Sequence, residues 1–297
     1  MKFSHQQKQI IAHNPARNAR VLAGPGTGKS TTAVALLSRL ACERPELRFR
    51  MLTFTRCATH ALAEKLAEAG YSSFIPTTIH SFALGTLVPY QSDAHLPLPI
   101  RLPDDWELHD LIHADLARRL RQRGFKKVDV DAVKELEQAM AARWESLNET
   151  AEPPASLDPV LNGQYVGLWE THRLIFGYTL LAELPLRAGN AVEDYGIRGQ
   201  AIDLLVVDEY QDLNEADIRL IRLFHQRGVR VVAIGDDDQS IFGFRKAAPA
   251  GIRRFPQEFG DCDEYPLTIC QRSGRSIVSG ATMLIAAARN RPPRPPL

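Results

Sequence analysis

The segment Arg20-Val21-Leu22-Ala23-Gly24-Pro25-Gly26-Thr27-Gly28-Lys29-Ser30 runs from apolar residues through a glycine-rich turn to a lysine and a hydroxyl side chain. Arg20 to Ala23 reads as a strand, and helical periodicity follows from Thr31 to Ala41. A tight loop between a strand and a helix N-terminus converges its backbone N–H groups on anionic oxygens, which makes it a phosphate cradle. In such a cradle Lys29 reaches β- and γ-phosphates and Ser30 ligates Mg²⁺. The strict GxxxxGK(S/T) pattern is broken at its first position by Ala23. Taken alone, the loop also fits an ordinary glycine-rich turn.

Working outward, Ser4 to Ala12 reads as a short helix, Arg50 to Phe54 as a second strand and Ala58 to Ala69 as a helix stopped by Gly70. Thr77 to Ile79 suggests a short third strand. Prolines 89, 97, 99 and 103 then punctuate the chain before helical patterns over Glu107 to Gln122 and Asp131 to Leu147. A Pro/Asn/Gly-rich break at Glu152 to Gly163 precedes a further helical stretch, Val166 to Leu184. Alternation of strand and helix resumes with Asp203 to Val207, Glu215 to Gln226 and Val229 to Ile234, then a short strand near Tyr265 and a helix from Arg275 to Ala288. Four prolines within Arg291 to Leu297 exclude a helix there. The expectation is an α/β domain carrying a mainly helical insertion. Its parts are residues 1–87, an insertion at 88–185, a second part at 186–290 and a Pro/Arg-rich tail at 291–297.

The 297 residues carry 36 basic and 35 acidic side chains, a net charge of +1 that hides a marked asymmetry. Residues 1–87 hold 11 basic and 4 acidic residues, residues 88–200 hold 12 and 18, and residues 201–297 hold 13 of each. Cations are therefore in excess where the phosphate loop lies. The longest aliphatic runs are strand-sized, so no membrane span is expected, and the polar, amphipathic start argues against a secretory signal. Four cysteines without a CxxC pair argue for the reducing cytoplasm and against a structural zinc site.

Two further groups carry chemistry. Leu204 to Val207 is a buried-type strand ending in the adjacent carboxylates Asp208 and Glu209. Asp208 is suited to holding Mg²⁺ and Glu209 to orienting or deprotonating an attacking water, although adjacent acids also serve simply as helix N-terminal charges. In a parallel sheet both the loop and the carboxylates would lie at the carboxyl edge, around one ligand. The run Gly235-Asp236-Asp237-Asp238-Gln239-Ser240-Ile241-Phe242-Gly243-Phe244-Arg245 also follows a strand. Gln239 is suited to a γ-phosphate or its attacking water. Phe242 and Phe244, with Arg245 beside them, fit a stacking platform for single-stranded bases, or else are core residues.

Together these residues resemble the UvrD/Rep/PcrA family of superfamily 1 helicases, over nearly the whole chain outside the insertion. The family's first motif reads AxxGxGK(S/T), which Ala23 to Ser30 fits in full. The resemblance implies a P-loop NTPase with a RecA-like parallel sheet flanked by helices. It also implies ATP and Mg²⁺ as cofactors, with Ala23, Gly24, Pro25, Gly26, Thr27, Gly28, Lys29, Ser30 and Thr31 binding ATP. Phe3-Ser4-His5-Gln6-Gln7 resembles the family's glutamine motif, in which Gln7 would read the adenine edge. Thr53-Phe54-Thr55 and Thr78-Ile79-His80-Ser81 resemble its motifs for single-stranded DNA, implying contacts from Phe54, Thr55 and His80. A structural histidine is the alternative for His80.

Arg272 falls where the family has an arginine that senses the γ-phosphate, giving a catalytic set of Lys29, Glu209, Gln239 and Arg272 with Ser30 and Asp208 on the metal. The Asn-Tyr pair before that arginine is replaced here by Cys270-Gln271, which implies weaker adenine discrimination. The expected function is the motor domain of an ATP-dependent DNA helicase or translocase acting on single-stranded DNA or on junctions, with 3′ to 5′ movement implied by the family. No counterpart of the family's second RecA-like domain is recognisable, so the motor is expected to be incomplete without that domain or a partner protein. The alternatives are a non-motor module that binds ATP and single strands and acts through a partner, and a nucleoside triphosphatase unrelated to nucleic acids.

Overall fold

The computed structural model describes residues 2–71, 74–90, 96–148, 158–199, 201–236, 238 and 250–286. Among the described residues six strands form one sheet: β1 (Asn18–Ala23), β2 (Phe49–Thr53), β3 (Thr77–Thr78), β4 (Leu204–Val207), β5 (Arg230–Gly235) and β6 (Cys262–Leu267). Their order is β3-β2-β4-β5-β1-β6, and every pairing is parallel. Parallel strands need crossover helices, which bury both faces and demand continuous apolar runs. Leu204, Leu205, Val206 and Val207 meet that demand, all four being fully buried. Leu204 and Val206 belong to one cluster with Val21, Ala33, Leu36, Leu40 and Leu62, while Leu205 and Val207 point to the opposite face.

The α-helices among the described residues are α1 (His5–Ile11), α2 (Lys29–Glu43), α3 (Arg56–Glu68), α4 (Ile79–Leu87), α5 (Ala114–Gln122), α6 (Val130–Glu145), α7 (Pro159–Phe176), α8 (Leu184–Tyr195), α9 (Glu215–Gln226), α10 (Ala250–Phe259) and α11 (Arg275–Ala286). Contacts divide the chain into two compact units. The first comprises Met1–Phe82, Gln200–Leu213 and Ile221–Leu297 and contains the sheet. The second comprises Ala83–Gly199 with Asn214–Leu220. It has its own core, built on Leu116, Leu120, Val133, Leu136, Tyr165, Trp169 and Tyr178.

Several expected boundaries move for identifiable reasons. The helix expected from Val166 begins at Pro159, because Asp158 accepts the Val160 N–H at 2.8 Å and proline suits the first helical position. It stops at Phe176, because Gly177 turns left-handed at φ 65°. The residues up to Leu184 are not its continuation. Glu183 caps the Leu180 N–H at 2.9 Å, binds Arg173 at 2.7 Å and leads into α8. Glu107–His113 winds in wider i→i+5 turns before α5. Helix α10 was not foreseen, since Pro256 inside it masks the pattern by which Ile252, Phe255 and Phe259 bury themselves.

Candidate nucleotide site

Because the sheet is wholly parallel, the loops after β1, β4, β5 and β6 open on one edge. The phosphate loop after β1 is held open by its glycines. Gly26 has φ 69° and Gly28 φ 87°, conformations that cost a residue with a Cβ about 1–2 kcal/mol. Space is equally restrictive. A Cβ on Gly28 would stand 2.7 Å from Gln7 Nε2, and one on Gly26 would stand 2.8 Å from Arg272 Cβ and 3.0 Å from Cys270 Sγ. Inside the loop the Thr27 hydroxyl donates to the Gly24 carbonyl at 2.8 Å, and the Gly24 N–H donates to the Leu267 carbonyl at 3.3 Å. Pro25 is exposed and Ala23 fully buried. Helix α2 starts at Lys29, so its free N–H groups face the loop.

Lys29 is nearly buried, with Nζ 3.4 Å from the Ala23 carbonyl and 3.8 Å from Glu209 Oε2. The Ser30 hydroxyl lies 3.4 Å from Asp208 Oδ2. Burial, reinforced by the neighbouring Glu209, pushes the Asp208 carboxyl up to about 6, against the opposing pull of Lys29. A buried oxygen acid stripped of water and set beside a hydroxyl suits a hard cation that takes its remaining ligands from phosphates. Among the described residues no cluster of three or more His, Cys, Asp or Glu side chains could hold a metal by itself. The Ser30 hydroxyl and the Asp208 carboxylate are donors of the kind Mg²⁺ takes alongside phosphate oxygens.

Glu209 sits in the left-handed region at φ 53°, where non-glycine residues are uncommon and often mark functional sites. Gln211 steadies it. The Gln211 amide donates to Glu209 Oε2 at 2.8 Å and accepts the Asp236 N–H at 2.9 Å, tying the loop after β4 to the loop after β5. Burial and the nearby Glu209 raise Asp212 to about 6 as well. Asp236 is fully buried and accepts the Asp238 N–H at 3.1 Å.

The segment after β6 closes over the loop. The Gln271 N–H donates to the Gly26 carbonyl at 2.9 Å, and Gln6 binds Thr268 through both amide atoms, each at 3.1 Å. Arg272 is exposed beside the loop. The Ser273 backbone N–H, with that of Arg272 and its charge, holds the Cys270 thiol below its usual range. Thr31, in the first turn of α2, lines a cleft of about 790 Å³ together with Phe3, Lys8 and Val34.

Phe54 and Thr55 follow β2, and His80 lies in the first turn of α4 after the adjacent strand β3, so the structure brings all three to one edge. Phe54 and His80 are partly exposed. The Thr55 hydroxyl is engaged locally, capping α3 by accepting the Ala58 N–H at 3.1 Å. Gln239, Phe242, Phe244 and Arg245 lie outside the described residues.

The family model described as the UvrD/REP helicase N-terminal domain matches residues 3–260. The chain belongs to that family. Among curated proteins it is 26% identical to DNA helicase II of Escherichia coli over 95% of this chain and 40% of the relative. It is 26% identical to the ATP-dependent DNA helicase Rep of the same organism over 90% of this chain and 41% of that protein. With the ATP-dependent DNA helicase srs2 of Schizosaccharomyces pombe it shares 22% identity over 98% of this chain and 36% of the relative. The chain thus spans less than half the length of these relatives.

Within this UvrD/REP domain, sequence reasoning assigned no role to Gln211 or Gln6, and Gln271 entered only as part of the Cys270-Gln271 replacement of the family's Asn-Tyr pair. Gln211 stood in view in the Asp208-Glu209-Tyr210-Gln211-Asp212 box. A side-chain amide between two acids, able to donate and accept at once, was the available signal. Nothing in the sequence pointed to the hydrogen bonds of the Gln6 and Gln271 side chains, whose partners are more than 260 residues away along the chain. Among the described residues no helix is long and apolar enough to cross a membrane.

Proposed function

We propose that this chain is the N-terminal motor domain of an ATP-dependent DNA helicase or translocase, binding ATP with Mg²⁺ and single-stranded DNA. The observation that carries the reading is the convergence of Lys29, Ser30, Asp208 and Glu209 beside a glycine-held phosphate loop, in a member of the UvrD/REP family. Bound ATP-Mg²⁺ supplies the phosphoanhydride to be cleaved and the charge-neutralising metal. The residues of the chain do the rest. N–H groups of residues 26–30 grip the phosphates, with Lys29 as the point cation. Ser30 and Asp208 hold the metal. Glu209, steadied through Oε2 by Gln211, orients the attacking water and accepts its proton at the other carboxylate oxygen. Gln239 and Arg272 approach the γ-phosphate, Gln7 faces the base, and Phe54, Thr55, His80, Phe242, Phe244 and Arg245 contact the strand.

Lys29→Ala should abolish ATP-Mg²⁺ binding measured by calorimetry; an unchanged dissociation constant would refute the site. The alternative reading is a non-motor module that binds ATP and single strands and acts through a partner. DNA-stimulated ATP turnover by the chain alone separates the two, substantial turnover excluding the passive module.

A further inference from the structure

Gln7 is the third residue of α1 and closes a capping box with Ser4, in which the Ser4 N–H donates to Gln7 Oε1 at 2.9 Å and the Gln7 N–H donates to Ser4 Oγ at 3.2 Å. A backbone N–H can only donate, so the amide atom facing Ser4 is the carbonyl oxygen. That oxygen also accepts from Gln271 Nε2 at 3.3 Å. Both lone pairs of the Gln7 carbonyl are therefore used within the protein. The amino group remains and lies against Gly28 of the phosphate loop, 2.7 Å from where a Cβ would stand.

Gln271 is fixed in this role from both sides. Its backbone N–H is bound to the Gly26 carbonyl at 2.9 Å, and Gln6 clamps the preceding Thr268 to α1. Gln7 is 3% exposed, so its amide has little freedom to turn.

The purine bases differ in what they ask of such an amide. Adenine offers an acceptor at N7 and a donor at N6, whereas guanine offers acceptors at N7 and O6. Selecting adenine requires an acceptor for the N6 amino group. Gln7 has none left, and its amino group can reach only N7, which the two bases share, or the guanine O6. We propose that the Gln7–Gln271 pair makes this a purine site without adenine selectivity, accepting GTP about as well as ATP. This rests on the assignment of Gln7 to the base in the preceding section. Gln271 acts as a positioning residue, setting specificity through the state of the Gln7 carbonyl.

The test is titration of the full chain with ATP, GTP and CTP in Mg²⁺ buffer, using the wild type, Gln271→Ala and Lys29→Ala. The wild type should bind ATP and GTP within about threefold of each other and CTP at least tenfold more weakly. Gln271→Ala returns a lone pair to Gln7, and one regained hydrogen bond shifts the ATP:GTP affinity ratio toward ATP by about fivefold. A wild-type preference for ATP above tenfold overturns the proposal, as does an unmoved ratio in Gln271→Ala. CTP binding as tightly as the purines overturns it by removing Gln7 from the base. If Lys29→Ala binds every nucleotide as the wild type does, the phosphate-loop assignment itself fails and this inference falls with it. A failure confined to the ATP:GTP ratio leaves that assignment standing.

Discussion

Asp217, in the first turn of α9, is fully buried and completes a reciprocal cap with Asn214. The Asn214 N–H donates to Asp217 Oδ2 at 3.2 Å, the Asp217 N–H donates to Asn214 Oδ1 at 2.9 Å, and Asp217 Oδ1 has no partner among the described residues. Burial, with a smaller contribution from the negative Glu145, pushes its carboxyl up from 3.8 to about 7. The folded protein thus holds this proton more tightly than the unfolded chain does. The stabilisation is complete below about pH 3.8, falls as pH rises toward 7 and is flat beyond. The gap between 3.8 and about 7, at about 1.4 kcal/mol per pH unit, amounts to about 4 kcal/mol lost by pH 8. Asp217→Asn keeps the shape and the accepting oxygen but cannot ionise. Its amino group takes the place of the carboxylic O–H, so both proteins bury one unpaired donor at low pH and differ little there. The expected result is near-equal stability around pH 4, with an advantage for Asn that grows to about 4 kcal/mol at pH 8. Urea unfolding between pH 4 and 8.5 can be followed by Trp106, Trp144 and Trp169, since all three tryptophans belong to the helical unit that contains Asp217. An Asn variant less stable than wild type at pH 8, or an advantage that does not shrink on acidification, would refute the reasoning.

Other perturbations probe the candidate site. Gly28→Ala puts a Cβ at φ 87° and 2.7 Å from Gln7 Nε2, so ATP affinity measured by calorimetry should fall at least tenfold, at about 1.4 kcal/mol per decade, while the fold persists. In Gly235→Ala the new methyl collides with Gln211 Oε1 and stands 2.8 Å from Ile252 Cδ1. This should cost about 1–3 kcal/mol in denaturant unfolding and lower ATP turnover more than ATP binding, because the amide that steadies Glu209 is displaced. Phe244→Ala should weaken oligo-dT binding by about 1–3 kcal/mol in fluorescence anisotropy without altering ATP affinity. Equal DNA binding by variant and wild type would return Phe244 to the core.

Much of the sheet was legible in advance, because a strand buried on both faces advertises itself as an unbroken aliphatic run, as in Leu204–Val207. Capping chemistry was partly legible: Asp158-Pro159 is a helix start that the surrounding Pro/Asn/Gly content concealed. A two-residue strand such as Thr77–Thr78 gives little periodicity to read, and α10 hides behind Pro256.

The phosphate loop and the Asp208-Glu209 pair were determined by local sequence, since the cradle is built from consecutive residues whose φ values only glycine adopts readily and from a side chain at a strand end. The order β3-β2-β4-β5-β1-β6 was decided in three dimensions. So was the membership of residues 214–220 in the helical unit and the state of each side-chain amide around the loop. Gln7 and Gln271 are 264 positions apart. Whether a glutamine carbonyl is free to read a base depends on which donors folding brings to it, and neither hydrogen-bond partners nor burial across such a separation is written in the neighbouring residues.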